Sequence, residues 1–453
     1  MGELSGLDAG YLSLDGSDQE KIEARQGEIV AHTGMNGKLL ENLDNLSGLE
    51  VLWLNSIFGF SNYTTSKVRP FVEAGGSLFL SAPGDGFAVQ PSNHAHGPEE
   101  INLVDGSGPL ASGPAGTLDD GDLDNAASHT GGLTSHRAFY RLEFVQDLEV
   151  AYLLTEDDPA AGVAALATVG RGYSLETTIP LGLFFESGEV DAAYDAALDA
   201  FSANALAYAA SLRTLTETDL TDGADVYTAG GAGEDVLAGG GGDRVTGGGG
   251  ADIVHAGAGA DRVAAGAGAD IAWGGAGNDR LDGGLGDDQL WGGAGADLVR
   301  GQGAQDFLVG GSGGDTVLGG GGADTLLGAD GDDQLRGGGG NDVLAGGTGR
   351  DTLLGGAGAD RFMFMNEYPW WNSSHRERIG DFSRGEDVID LSAGGGFAFV
   401  DQFHGGSAEI VLADFDGGSR VLIDSDGDGE ADWTIVVVTA DGAGLDQGDF
   451  IVA

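Results

Sequence analysis

The chain has no cysteine. That removes disulfides, thiolate nucleophiles and cysteine-based zinc sites together. It fits a protein that ends up outside the cell without relying on covalent cross-links. Basic residues are scarce as well: 20 Lys and Arg stand against 73 Asp and Glu, a formal net charge of −53. Phosphate backbones repel a chain this acidic, so nucleic acid is not an expected partner. No apolar run reaches the length that a membrane-spanning helix needs. Met1-Gly2-Glu3-Leu4-Ser5 has neither a basic region nor an apolar run, so no cleavable signal peptide is expected there.

Glycine, by contrast, is abundant, at 87 of 453 residues, and much of it falls in a strict period. Aspartate recurs every ninth residue at Asp243, Asp252, Asp261, Asp270, Asp279, Asp288, Asp297, Asp306, Asp315, Asp324, Asp333, Asp342, Asp351 and Asp360. Two residues after each stands an apolar side chain: Val245, Val254, Val263, Ala272, Leu281, Leu290, Val299, Leu308, Val317, Leu326, Leu335, Leu344, Leu353 and Phe362. A glycine-rich turn precedes each aspartate, as in Gly292-Gly293-Ala294-Gly295-Ala296-Asp297-Leu298-Val299-Arg300. A fixed short period is the mark of a repeat architecture.

One nonapeptide already implies a chemistry. Glycines at positions 1, 2 and 4 allow backbone angles that a side chain forbids, so carbonyls can turn toward a cation. The aspartate at position 6 adds a carboxylate. Oxygen-only ligands suit a hard cation, and flexible coordination suits Ca²⁺ over Mg²⁺. Positions 7 to 9 form a short strand with position 8 pointing inward. One repeat cannot bury its single apolar residue, so neighbours must stack. Without cation, glycine entropy and carboxylate repulsion should keep the block unfolded, and calcium binding would supply the folding free energy. Copies depart from the pattern: Gly301-Gln302-Gly303-Ala304 lacks two of the glycines, and Ala272 fills the apolar position poorly. Asp225 and Glu234-Asp235 continue the theme irregularly, as a degenerate N-terminal cap.

These repeats resemble the GGxGxDxUx nonapeptides of the RTX (repeats-in-toxin) family. The resemblance implies a calcium-loaded parallel β-roll in which two repeats make one coil. Each Ca²⁺ then sits between turns two repeats apart, for about twelve sites at most. Asp243, Asp261, Asp279 and their successors would line one edge, and Asp252, Asp270, Asp288 and theirs the other.

Residues 1–213 are different material. Val51-Leu52-Trp53-Leu54 reads as a buried parallel strand, Thr64–Ala74 as a helix stopped by Gly75-Gly76, and Ser77-Leu78-Phe79-Leu80 as the next strand. Further strands are expected at Phe139–Val145, Val150–Leu154 and Ala164–Val169, and a long alanine-rich helix at Asp191–Leu212. Strands alternating with helices argue for an α/β sheet. The segment resembles the glutamine-amidotransferase-like flavodoxin-type domains on Val51–Leu54, Phe71–Leu80 and Gly170-Arg171-Gly172-Tyr173-Ser174. That family's nucleophile is cysteine, so its chemistry does not carry over. His94-Ala95-His96 and His129 lie in a long Gly/Pro/Asp-rich loop, where Asp85 or Asp122 could complete a metal site. An H-x-H pair alone is a weak cue, and a solvated loop is the plainer reading. Gly310-Gly311-Ser312-Gly313-Gly314 has the form of a serine-hydrolase elbow but falls inside a repeat turn, so it is expected to be coincidental.

After Asp360 the period ends. Arg361-Phe362-Met363-Phe364 and Ile379–Ser392 resemble the segment that closes the β-roll of serralysin-type proteases. The protease domain is absent, so only a calcium and export module carries over. Asp424, Asp426, Asp428 and Asp432, with Gly429, match EF-hand positions, but position 12 is Ile435 rather than glutamate. A weak calcium loop and a plain Asp/Gly hairpin turn are both open. The terminal Asp449-Phe450-Ile451-Val452-Ala453 resembles an uncleaved C-terminal export signal.

The expected architecture is therefore multidomain. An N-terminal α/β three-layer domain spans 1–213, a linker 214–222, a parallel β-roll solenoid 223–365, and a small mostly β cap with the export signal 366–453. The function expected from the resemblance is that of a secreted calcium-binding protein. It would be exported unfolded by a type I system and folded by extracellular Ca²⁺, with a noncatalytic α/β binding module as cargo. The alternative is an exported hydrolase with its active site in the N-terminal domain. The outward positions of the repeats differ by sheet. One face carries Ile271, Trp273, Trp291 and Phe307, with Trp273 and Trp291 one coil apart; the other carries most of the arginine. An apolar face of that size marks a contact surface, to be covered by the C-terminal segment, the N-terminal domain or a second chain.

Overall fold

The protein is described from a computed structural model. The described residues are 215–364, 376–392, 397–425 and 427–452, together with shorter N-terminal stretches. The chief ones are 7–13, 19–33, 35–43, 46–55, 62–74, 76–81, 91–95, 150–155, 162–169 and 172–177. The chain divides into two compact units, Met1–Leu215 and Thr216–Ala453. Among the described residues no helix is long and apolar enough to cross a membrane.

In the first unit, Asn36–Leu39, Asp8–Ser13, Val51–Asn55 and Ser77–Ser81 lie side by side in that order, all parallel. Helices Gln19–Thr33 and Asn62–Glu73 provide crossovers between parallel neighbours. Gly172–Thr177 joins Ser77–Ser81 in parallel, and Gly162–Val169 and Val150–Thr155 continue antiparallel. Val51–Asn55 is apolar without alternation because both of its faces are covered. Leu52 and Leu54 pack with Leu12, Val68, Val72 and Leu78, while Trp53 stacks on Phe79 with ring centroids 5.4 Å apart. The strand expected at Phe139–Val145 is Arg137–Phe139 where it is described. Most of the helix expected at Asp191–Leu212 lies outside the described residues, although 202–206 is helical.

The second unit is a parallel β-solenoid closed by a mostly β region. Each nonapeptide contributes one strand, and successive strands alternate between two sheets, so partners within a sheet are 18 residues apart. The apolar residue of every repeat points between the sheets. Leu281, Leu290, Val299, Leu308, Val317 and Leu326 are all fully buried. Full burial of such a side chain contributes about 1.5–3 kcal/mol, so the core is one thin column built one residue at a time. Ala272, though small, is also fully buried. Between strands such as Ile271–Ala276 and Arg280–Leu285 the chain turns within three residues, and at most of these turns a Cβ would collide with the coil before. Gly277 has φ +139°, and a Cβ there would fall 1.4 Å from the carbonyl oxygen of Gly259.

The irregular turn at Gly301–Ala304 forms nonetheless, with Gln302 and Ala304 in the left-handed region at φ 89° and 79°. The stretch expected as a linker carries a strand: Thr216–Asp219 pairs in parallel with Glu234–Leu237. At the other end, Arg376–Phe382 continues the sheet of Thr352–Ala357, and Val388–Asp390 that of Arg361–Met363. Phe450–Ile451 adds a last parallel strand beside Val388–Asp390. An antiparallel meander of Glu409–Phe415, Gly418–Asp424 and Trp433–Thr439 extends the other sheet.

Candidate metal centre

The fourteen aspartates separate into two ladders, one along each edge of the solenoid. The backbone amide of each one up to Asp342 donates to Oδ1 of the aspartate 18 residues later. Asp261 to Asp279 spans 2.8 Å, Asp270 to Asp288 2.9 Å, Asp297 to Asp315 2.8 Å and Asp342 to Asp360 3.0 Å. One carboxylate oxygen is thus spent on holding adjacent coils in register. The other is left buried. Oδ2 of Asp243, Asp252, Asp261, Asp270, Asp279, Asp297, Asp306, Asp315, Asp324, Asp333, Asp342, Asp351 and Asp360 accepts no hydrogen bond from the described residues. A buried carboxylate oxygen without a donor is costly unless a positive charge meets it.

The space in front of that oxygen has the right lining. A Cβ at Gly274 would stand 2.5 Å from the carbonyl oxygen of Gly292 and 2.7 Å from Asp279 Oδ2. At Gly292 the same construction meets the Gly310 carbonyl at 2.5 Å and Asp297 Oδ2 at 2.6 Å, and at Gly328 the Gly346 carbonyl at 2.4 Å and Asp333 Oδ2 at 2.5 Å. Position-1 glycine therefore keeps open a cradle bounded by one carboxylate and a carbonyl of the next coil. Among the described residues no three His, Cys, Asp or Glu groups cluster as a metal site would. Each turn supplies a single carboxylate, and the remaining oxygens are backbone carbonyls. This donor set is hard and all-oxygen, which fits Ca²⁺.

The electrostatics point the same way. Burial lifts the carboxyls of Asp270 and Asp279 to about 7, that of Asp333 to about 8 and that of Asp306 to about 9, although a backbone amide hydrogen-bonded to each pulls the other way. Neighbouring carboxylates of the same ladders add to the rise. Protonation is how a buried carboxylate relieves its desolvation when no cation is near; a divalent ion relieves it without the proton.

Two members of the ladders escaped the sequence reading. The amide of Asp351 donates to Glu377 Oε2 at 3.0 Å, and that of Asp360 to Asp387 Oδ1 at 3.0 Å. Both acids are buried, and burial together with the Asp351 carboxylate lifts Glu377 to about 9. They stand 26 and 27 residues beyond their partners, after the repeats have ended, so the 18-residue spacing of the ladders does not reach them. The signal that could have found them is their position just before and after Ile379-Gly380-Asp381-Phe382, where the chain returns to the sheets. At the N-terminal end, Asp225 and Glu234 donate their amides to Asp243 and Asp252 at 2.8 Å each, which makes them the first rungs.

The acidic loop near the C-terminus is arranged differently. Asp424 is fully buried, with Oδ1 accepting from the Gly427 amide at 2.7 Å and Oδ2 from the Gly429 amide at 2.8 Å. Asp432 Oδ2 accepts from the amide and hydroxyl of Ser425 at 2.7 and 2.6 Å, and Asp428 Oδ1 from the Glu430 amide at 2.8 Å. These carboxylates hold the turn between Gly418–Asp424 and Trp433–Thr439; Asp426 lies outside the described residues. So do His96, His129, Asp85 and Asp122, and for His94 only the backbone is described, in strand Pro91–Ala95. Ser312 ends the strand Phe307–Ser312 inside the parallel ladder, where no helix follows as a nucleophile elbow requires.

The RTX calcium-binding nonapeptide repeat (4 copies) matches this chain at 237–272, 265–299, 273–308, 300–335, 309–344 and 336–364. The solenoid is an RTX β-roll. Its ion is calcium, and the chain is a calcium-binding repeat protein. Solved structures similar to it include a subunit of the Azotobacter vinelandii mannuronan C5-epimerase, at 31% identity, covering 35% of this chain and 81% of that one, with a TM-score of 0.18. Another is a β-galactosidase from Rahnella sp. R3, at 10% identity, covering 44% of this chain and 31% of that one, with a TM-score of 0.27. No curated protein matches.

The two outer faces of the RTX roll differ as their sequences do. Ile271, Trp273, Trp291 and Phe307 are each less than a tenth exposed. Trp273 and Trp291 are register partners on adjacent strands, stacked with centroids 5.5 Å apart. His255 stacks on Trp273 at 4.7 Å, and Phe307 lies 5.9 Å from Trp291. The opposite face stays open, with Arg244, Arg262 and Arg336 exposed.

Proposed function

We propose that the repeat aspartates Asp243 to Asp360 are the calcium ligands of the roll, each through Oδ2 beside backbone carbonyls of the neighbouring coil. Glu377 and Asp387 would close the last turns. The observation that carries this is the row of buried Oδ2 atoms with no donor among the described residues, most of them facing a position-1 glycine, with Ala238, Ala256 and Ala265 in that place before Asp243, Asp261 and Asp270. Asp424, Asp428 and Asp432 are better read as turn formers, since local amides engage both oxygens of Asp424 and one each of Asp428 and Asp432.

On this reading the protein is made for a place rich in calcium. It crosses the cell envelope unfolded through a type I exporter, where cytosolic calcium is scarce, and folds outside. Site affinities of about 10⁻⁴–10⁻³ M suit that setting. The export signal would be Asp449–Ala453, and the cargo a three-layer α/β binding module at 1–213, without catalytic chemistry. The boundaries at 214–222 and 365 follow from the end of the repeats rather than from any break in the strands. Because the Trp273/Trp291 face is buried within the chain, intrachain packing rather than a second copy would be its role. Calcium titration of the whole chain, followed by circular dichroism with bound-ion counting, tests the core of the proposal. Cooperative gain of β-structure with close to a dozen ions supports it; spectra that do not change with calcium overturn it. Secretion of a chain lacking Asp449–Ala453 tests the route.

A further inference from the structure

Between Leu237 and Phe364 the sequence holds eighteen aspartates, seven arginines and neither glutamate nor lysine, a formal charge of −11. Fourteen of the eighteen are the repeat aspartates. Six bound calcium ions would already reverse the sign of this segment. The rest of the chain carries −42. A loaded roll is therefore a positive body within an acidic protein, and its arginines are not spread evenly over it.

They gather on the open face. Arg244, Arg262 and Arg280 are direct register partners on three neighbouring strands, about 4.8 Å from one to the next. Arg300 and Arg336 stand in the adjoining row, with Leu318 between them, and Arg378 continues the first row on the capping strand. Asp282 is the one acid at the outward strand positions of these repeats, and it is engaged by Arg280 at 2.7 Å and Arg300 at 3.6 Å. Arg244 and Arg262 make no ion pair among the described residues and are exposed. Among the other outward positions Thr316, Gln334 and Thr352 can hydrogen-bond hydroxyls, and they stand beside the apolar Leu298, Leu318 and Leu354. No aromatic ring lies among them.

We propose that this arginine-bearing face docks a linear anionic polysaccharide once calcium has loaded the roll. The proposal rests on the calcium reading above. Charge complementarity selects the ligand class. Single-stranded nucleic acid is held by base stacking on aromatic side chains, and this face has none. Duplex nucleic acid packs one charge into about 1.7 Å of its axis, a density that these short arginine rows do not match. A polysaccharide with a charge on each sugar is more sparsely charged and offers hydroxyls to Thr and Gln. At physiological salt, repulsion from distant acids is screened beyond about 8 Å, so the local arginine rows decide.

The test uses the full chain, with dextran sulfate as probe and neutral dextran as control. In calcium, dextran sulfate should bind and neutral dextran should not. The variant Arg244→Gln/Arg262→Gln/Arg336→Gln should lose affinity by about tenfold, as for three exposed charge contacts, with a shallower salt dependence and an unchanged count of bound calcium. The same three positions changed to Lys should restore binding. Equal binding by the Gln variant, equal binding to neutral dextran, or tighter binding to duplex DNA or anionic vesicles would each overturn the proposal. Normal calcium loading without polysaccharide binding would overturn it while leaving the calcium reading intact. A chain that binds no calcium would overturn both.

Discussion

The N-terminal sheet and the RTX roll solve the same problem in opposite ways. The sheet around Val51–Asn55 buries Leu52, Leu54, Leu78 and Trp53 on two faces, so its cohesion comes from apolar contact. The roll has one inward apolar residue per repeat and a buried carboxylate beside it. Its apolar column is too thin to offset both the chain entropy of so many glycines and the desolvation of those acids. The first arrangement is indifferent to ions; the second is half of a structure whose other half is dissolved in the medium.

Removing calcium breaks the comparison most sharply. In chelator, the roll at 223–365 is expected to lose its β-structure cooperatively while the N-terminal sheet persists. Hydrogen exchange resolved by region checks this, and uniform protection of both units would refute it. A core truncation comes next. Leu290→Ala should cost the calcium-loaded roll about 2–5 kcal/mol, read as a higher calcium midpoint for folding. Leu52→Ala should cost a similar amount without moving that midpoint. Calcium titrations followed separately on the two units distinguish them.

Filling one cradle has a smaller reach. Gly292→Val should abolish the site facing Asp297 and lower the bound-ion count by one or two while the remaining coils still fold. Calorimetric ion counting decides, and an unchanged count would show that the cradle is not the site. The mildest effect concerns pH in the absence of calcium. Carboxyls whose folded-state values are raised bind more protons folded than unfolded. Their contribution is fully present below the ordinary aspartate range and is lost as pH rises through the raised values. With Asp270 and Asp279 at about 7 and Asp306 at about 9, residual apo structure should be greatest in mild acid and fade between about pH 4 and 9. Ellipticity in chelator across that range checks the sign.

Much of the roll was legible because its period is short and its chemistry repeats. Asp279, Leu281 and Gly274 each have one local role, and the spacing alone assigns it. The contrast between the Trp273/Trp291 face and the arginine face was legible too, since outward positions follow from strand alternation. What covers an apolar face is a long-range fact that no local pattern encodes. Glu377 and Asp387 were missed for a related reason. They act at the same height as a repeat aspartate but reach it after an irregular excursion, and a glutamate serves where aspartate is the rule. Thr216–Asp219 was hidden by composition. Its alternating Thr and acid look like linker, yet the neighbouring strand Glu234–Leu237 offers it an edge.

The ladder has a direction, and that direction dictates how the molecule can change in length. Every amide on an edge is served by the coil after it, so the final coils end in donors that only Glu377 and Asp387 receive. Eighteen residues inserted anywhere in the array would return each edge to its own terminator. Nine would exchange the edges: the strand meant for Glu377 would arrive at Asp387, and a tryptophan row would continue into an arginine one. Such an array is therefore quantised in pairs. Lineages of this protein should differ by whole coils, and half a coil should be the lethal step.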